Sequence, residues 1–269
     1  VNAYATYTDT FADAHNLKVM LGYNYEQKGI QDATAKGYNL IVDNLYDLNL
    51  VGGDADGVKQ TEVKGGQNEY AIMGFFGRIN YDYKGKYLFE LAGRYDGTSR
   101  FSNNKWGLFP SVAASWNLKN ESWLKNNNAV SALKLRLSWG QTGQQDLQSG
   151  NYPTLPSYRT NGADVSMLFG GNAVTPITPL GYNADLKWET TTTYNVGIDW
   201  GFLRGRLYGS IDAYRRDTED LLNYTPVAAG ANLTNYLAAN IGSLENTGVE
   251  VELNAIAIET KDWSWTIPA

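Results

Sequence analysis

The stretch LKLRLSWG puts Leu133, Leu135, Leu137 and Trp139 in one phase and Lys134, Arg136 and Ser138 in the other. A period of two marks a strand whose faces meet different surroundings, because successive side chains point to opposite sides of the pleat. The same period recurs along most of the chain. Val1, Ala3, Ala5 and Tyr7 alternate with Asn2, Tyr4, Thr6 and Thr8, and Leu17, Val19, Leu21, Tyr23 and Tyr25 alternate with Asn16, Lys18, Met20, Gly22, Asn24 and Glu26. Ala71 through Tyr83, Phe89 through Tyr95, Leu108 through Leu118, Tyr194 through Trp200, Leu207 through Ala213 and Val249 through Ala257 repeat it. About ten strands with unlike faces are predicted. Alternation alone leaves two architectures open, a two-sheet sandwich with one wet face per sheet and a membrane barrel with a wet interior.

Composition agrees with β structure. Aromatic residues make up 13% of the 269 residues, with 19 Tyr and 8 Trp, and there are 28 Gly against 7 Pro. A net charge of −6 opposes a nucleic-acid partner, which needs a basic face. The absence of cysteine excludes disulfides and thiolate chemistry within these residues. Mean hydropathy is −0.40 and no apolar run approaches the ~18 residues of a membrane helix. Strands that alternate faces average to such a value even when they cross a bilayer.

The connections separate the two architectures. Residues 9–15, 83–86, 202–206 and 259–262 are tight, residues 119–131 are moderate with a helical turn expected around NESWLKN, and residues 27–68, 143–185 and 217–245 are long. Short turns on one rim and long loops on the other are the pattern of an outer-membrane barrel, with periplasmic turns and extracellular loops. Aromatics gather near strand ends: Tyr81, Tyr83 and Tyr87, then Trp200 and Phe202, then Trp263 and Trp265. Amphipathic rings settle at headgroup level in this way. The opening VNAYATYTD and closing DWSWTIPA both read as strands of a larger barrel, so residues 1–269 are expected to be part of one barrel domain.

Several blocks in order carry a resemblance: YDGTSRF, WGLFPSVAASWNL, LKLRLSWGQTGQQ, LKWETTTTYNVGIDWGFLRGRL, YRRDTEDLL and NIGSLENTGVEVEL. From about Glu69 onward the chain resembles the barrel of SusC/RagA-like, TonB-dependent outer-membrane transporters of Bacteroidetes. The resemblance implies an all-β antiparallel transmembrane barrel of 22 strands, of which about ten lie here, and an N-terminal plug that these residues lack. It implies import of oligosaccharides or peptides, a SusD-like lipoprotein on the extracellular face, and TonB engaged through the missing N-terminal part. The alternatives are a siderophore or vitamin receptor on the same architecture, and a soluble glycan-binding sandwich or propeller. A propeller would show a blade repeat of ~40–50 residues, and none is found.

Nothing in the chain composes a catalytic centre. Glu250 and Glu252, and Asp199 beside a strand bearing Asp212, pair carboxylates on wet faces, which period-two spacing alone accounts for. The single His15 reads as a solvated turn residue. The oxygen-rich stretch 52–62, with Asp54, Asp56 and Glu62, is a calcium candidate whose spacing does not match an EF-hand, and no other cofactor is expected. Arg78, Arg94, Lys134 and Arg136 against Glu90 and Asp96 are expected to line the interior, since Arg or Lys facing lipid at mid-depth costs ~2–4 kcal/mol. Arg215 falls in the apolar phase but near a strand end, where it can snorkel. Tyr152, Tyr158, Tyr182, Trp188, Tyr224 and Tyr236 are the aromatic candidates for substrate or partner contact. GTSRF reads as a polar exit from the membrane rather than core.

Overall fold

The structure is a computed structural model that describes residues 1–39, 51–52, 61–147, 150–160, 167–228 and 234–268. Ten strands form one antiparallel sheet: β1 (Asn2–Phe11), β2 (His15–Gly37), β3 (Thr61–Tyr83), β4 (Tyr87–Thr98), β5 (Trp106–Asn117), β6 (Val130–Gln144), β11 (Glu189–Phe202), β12 (Leu207–Glu219), β15 (Ser243–Glu259) and β16 (Ser264–Pro268). Each lies beside its predecessor in chain order. The smaller strands β7 (Ser157–Thr160), β8 (Met167–Phe169), β9 (Asn172–Val174) and β10 (Ile177–Leu180) pair as β7–β10 and β8–β9, and β13 (Leu222–Pro226) pairs with β14 (Tyr236–Asn240).

The register aligns the faces of neighbouring strands. Leu91 opposes Ile79 on one side and Val112 on the other, Val112 opposes Trp139, Trp139 opposes Tyr194, and Ile211 joins Ile198 to Val251. One continuous face is therefore aliphatic and aromatic. Among the described residues it stays open: Leu108 is 64% and Val249 68% exposed. A sandwich would bury these side chains under a second sheet, so this uncovered apolar surface removes that architecture.

The apolar face also has measurable ends. Tyr194 and Phe202 lie about 26 Å apart along β11 at ~3.3 Å per residue, and a tilt of ~40° reduces that to roughly 20 Å of height, close to the ~25 Å band of a membrane barrel. Rings line both limits. Tyr83, Tyr87 and Trp116 stack in series at 6.3 and 6.1 Å beside the tight turns. Phe75, Trp106 and Tyr95 stack at 6.5 and 4.7 Å near the other rim. His15 belongs to the lower row. It is the first residue of β2, half-buried, with Nδ1 2.7 Å from the Tyr81 hydroxyl and its ring 4.8 Å from that of Tyr83. The solvated-turn reading is thereby corrected, because register places the imidazole in an aromatic row.

Tight turns use left-handed backbone. Lys84 and Gly85 have φ of 54° and 63°, the two consecutive positive angles that match hairpin twist. The expected turn near NESWLKN is present, with Glu121 C=O accepting from the N–H groups of Leu124 and Lys125.

Three of the long connections hold more strand than alternation predicts. Strands β2 and β3 continue to Gly37 and from Thr61, and the loops after β6 and β12 contain paired strands of their own. Polar strand ends above a membrane band lose the alternation that betrays a strand, because both faces meet water. By contacts the chain forms two compact units, Val1–Glu26 with Ile72–Ala269, and Gln27–Ala71. Within the second, Glu62 accepts from the Tyr38 hydroxyl at 3.3 Å and pairs with Lys64.

Candidate functional site

The face opposite the apolar one is a wall of paired charges. Arg136 on β6 stands opposite Gly197 on β11, which in turn stands opposite Asp212 on β12. The guanidinium crosses over the bare glycine: Nη2 reaches Asp212 at 2.9 Å and Asp199 at 2.8 Å, and Nε donates to Asp199 at 2.9 Å. A Cβ on Gly197 would lie 2.9 Å from Arg136 Cζ and collide with the Asp212 carboxylate. Glycine is required here by a side chain that occupies its space. Asp199 and Asp212 are thus the two acceptors of one arginine, which accounts for the carboxylate pair without catalysis.

A second cluster repeats the device. Arg94 donates through Nε and Nη2 to Asp96, both at 3.0 Å, and its guanidinium lies 5.5 Å from the Phe76 ring. Gly74, directly opposite Asp96, leaves room for the carboxylate. Arg78 and Glu90 pair at 3.7 Å. Lys134 stands opposite Asp199, whose carboxylate Arg136 holds. All six of these predicted charged residues share the polar face by register. Each partly exposed pair contributes about 0–1 kcal/mol, so the wall is defined by placement more than by stability.

Above this wall, the connections after β4, β6 and β12 share a small core. Phe101 (0% exposed), Leu186 and Trp188 (8%) pack with Phe109 and Ala238, with Leu147 and Leu222 against them. Trp188 meets Phe101 and Phe109 edge-on at 5.9 and 5.3 Å, and its Nε1 donates to the Lys105 carbonyl at 3.0 Å. This corrects two expectations. Trp188 is buried and cannot present a ring to substrate. GTSRF is not a polar exit, since Phe101 is the centre of the cluster and buried Arg100 donates to Asp146 at 2.8 Å and to the Gln145 carbonyl at 3.2 Å. Alternation missed these contacts because they join residues far apart in sequence. One signal was available: Phe109 is an aromatic in the polar phase of β5, and its ring fills the space over Gly107 and Gly143.

The other aromatic candidates lie at the surface. Tyr152 is near the Ser99 hydroxyl at 3.5 Å, Tyr158 and Tyr182 are exposed, and Tyr224 and Tyr236 stack on each other at 5.7 Å and 13°. Arg215 pairs with Asp217 at 3.0 Å and Glu245 at 3.2 Å, which ends the apolar band on β12 with a charge cluster. On the opposite rim the Glu121 carboxylate accepts from Lys86 (2.8 Å), Tyr87 (2.9 Å) and Trp116 (3.1 Å). These donors hold it down to about 2. Asp54 and Asp56 of the calcium candidate lie outside the described residues. Among the described residues no group of three His, Asp or Glu is placed to hold a metal.

A family model for the TonB-dependent receptor-like β-barrel matches residues 1–269. The chain belongs to this outer-membrane barrel family. It is 38% identical over 99% of its length to the TonB-dependent receptor SusC of Bacteroides thetaiotaomicron, and 34% identical over 98% to TonB-dependent receptor P3 of Formosa agariphila. It spans 26% and 25% of those relatives, about a quarter of each. Among solved structures it resembles the RagAB peptide transporter, with a TM-score of 0.80 and 27% identity over 98% of this chain and 28% of that one. The ferric enterobactin receptor of Pseudomonas aeruginosa matches at a TM-score of 0.57 and 16% identity over 96% of this chain and 33% of that one, which shows shared fold alone. The family is one of receptors and transporters, not enzymes. The sheet is a segment of the wall of such a barrel, apolar on one face and charged on the other.

Proposed function

We propose that the whole protein imports oligosaccharides or peptides across the outer membrane, driven through TonB and assisted by a SusD-like lipoprotein on the extracellular side. The 38% identity to SusC over nearly the whole chain carries this reading. An open apolar band about 20 Å high, backed by a wall of charge pairs, supports the membrane placement. The likeness in fold and sequence to the RagAB peptide transporter keeps peptides within the cargo class. A siderophore receptor shares the fold at much lower identity.

The experiment is uptake by cells that express the full-length protein. Fluorescent oligosaccharide or peptide should enter wild-type cells, and entry should cease when either this protein or TonB is removed. Entry that persists without TonB would sink the reading. Affinity purification from the same cells should co-purify a lipoprotein, and release of the receptor from membranes by salt alone would refute the lipid-facing assignment.

A further inference from the structure

The two ends of the strands carry opposite charge. Five connections lie at the turn end, residues 12–14, 84–86, 118–129, 203–206 and 260–263, and they hold seven cations against three anions. The four connections at the loop end, residues 38–60, 99–105, 145–188 and 220–242, hold five cations against eight anions. A chain of net charge −6 thus gathers a basic edge where its hairpins turn.

Most of that positive charge is not neutralised within the fold. Among the described residues Lys86 is the only one of the seven cations in an ion pair, and its partner Glu121 also accepts from Tyr87 and Trp116. Lys119 and Arg206 are held by neutral acceptors: Lys119 donates to the Asn127 carbonyl at 2.7 Å and Arg206 to the Ala257 carbonyl at 2.8 Å. A carbonyl fixes such a side chain and leaves its charge in place. Lys84, Lys125, Arg204 and Lys261 are exposed.

Each exposed cation has a large apolar neighbour. Lys84 Nζ lies 5.2 Å from the centroid of the Tyr83 ring, which opens the stacked row of Tyr83, Tyr87 and Trp116 at the limit of the apolar face. Lys125 stands two residues after Trp123, which is 66% exposed, Arg204 follows exposed Leu203, and Lys261 stands two residues before exposed Trp263. The first two of these turns form one platform, since Asn120 donates to the Gly85 carbonyl and the Asn117 N–H to the Lys86 carbonyl, both at 2.7 Å. The order of strands from β3 to β16 sets the four turns along one edge, over six strand spacings or about 29 Å.

We infer that this edge binds the headgroups of anionic phospholipids in the leaflet at the turn end, with the cations on the phosphates and the apolar groups among the upper acyl carbons. The inference rests on the proposed membrane placement and adds a lipid preference to it. A basic side chain near a bilayer surface favours anionic lipid by about fivefold. Rings at the interface set the depth, and long basic side chains reach from there to the headgroups. A cation beside an apolar group recurs at four separate turns, which suits many small identical ligands, each with an anion joined to hydrocarbon, better than one folded partner.

The test uses the full-length receptor in detergent, titrated with phosphatidylglycerol or with phosphatidylcholine of the same chains, and bound lipids are counted by native mass spectrometry. Wild type should bind phosphatidylglycerol more tightly by about fivefold or more. K84Q/K125Q/R204Q/K261Q should lose about fivefold or more in affinity for phosphatidylglycerol and none for phosphatidylcholine, while K84R/K125R/R204K/K261R should keep the preference. If the glutamine variant loses the heat-modifiable gel mobility of a folded barrel, K125Q/K261Q carries the test with a smaller drop. Equal affinity of wild type for the two lipids, or a preference that survives in the glutamine variants, would overturn the inference. So would glycerol phosphate that binds as tightly as the whole lipid, since the apolar groups would then take no part, or an acidic protein that co-purifies with wild type and displaces the lipid. Release of the receptor from membranes by salt alone refutes the membrane placement, whereas a receptor that stays in the membrane without a lipid preference refutes this inference alone.

Discussion

The outward face of β4–β6 and β11–β12 and the cluster around Trp188 are built from the same residue types and solve opposite problems. On the first, Leu108 and its neighbours remain open because lipid completes the packing. In the second, Phe101 and Leu186 are sealed by three loops, because the polar side of the wall is wet and apolar groups there must be covered by protein. Apolar side chains thus mark membrane contact on one face and loop docking on the other. The phase of the strand decides which, and Phe109 is the residue that crosses between the two roles.

The comparison predicts unequal sensitivities. Trp188→Ala removes the ring that joins two loops to the wall and should cost about 3–5 kcal/mol locally. Protease added outside cells should then cut the connections after β4, β6 and β12 while the barrel keeps its heat-modifiable gel mobility. Loops that stay resistant would show that they are held by something other than this cluster. Val196→Arg, on the lipid face, should cost ~2–4 kcal/mol in urea unfolding from lipid vesicles, whereas Asn195→Arg, one residue away on the lumen face, should cost little. Equal costs at 195 and 196 would break the assignment of faces.

A smaller effect is expected inside the wall. Gly197→Ala places a methyl where Arg136 crosses to Asp212, separating a hydrogen-bonded pair that is partly exposed. A loss of about 1–2 kcal/mol is expected. In the D212N background the same substitution should cost distinctly less, because the crossing has already been weakened. Additive losses would mean that Gly197 serves the backbone and not the arginine.

Much of the wall was legible in sequence because membrane strands impose period two over their whole span. The six charged residues from Arg78 to Arg136 and the apolar partners of Leu135 follow from phase alone. Pairing partners do not: that Arg136 reaches Asp199 and Asp212 requires the order of strands and the gap at Gly197. The loops were least legible. Trp188 and Phe101 share the surface composition of Tyr158 and Tyr182, and only tertiary contact separates a buried ring from an open one. The strand ends beyond Glu26 and before Ala71 were missed because water on both faces erases alternation.

The mildest contrast lies between the rims. Arg215 closes the apolar band at the loop side with exposed ion pairs, while Glu121 closes it at the turn side with three donors from Lys86, Tyr87 and Trp116. Those donors favour the carboxylate, so the folded value of about 2 lies below the ordinary 4.5. A group lowered on folding stabilises the fold fully above its unfolded value and loses that contribution as pH falls toward its folded value. Wild type and Glu121→Gln should therefore differ in thermal midpoint by a constant amount above pH ~4.5, and the gap should narrow steadily between about 4.5 and 2. Thermal melts of the full-length receptor in detergent across pH 7 to 2 read this directly. A gap that holds constant through that window would mean that Glu121 acts as a neutral hydrogen-bond acceptor, and the turn-side rim would then owe its order to the stacked rings of Tyr83, Tyr87 and Trp116 instead.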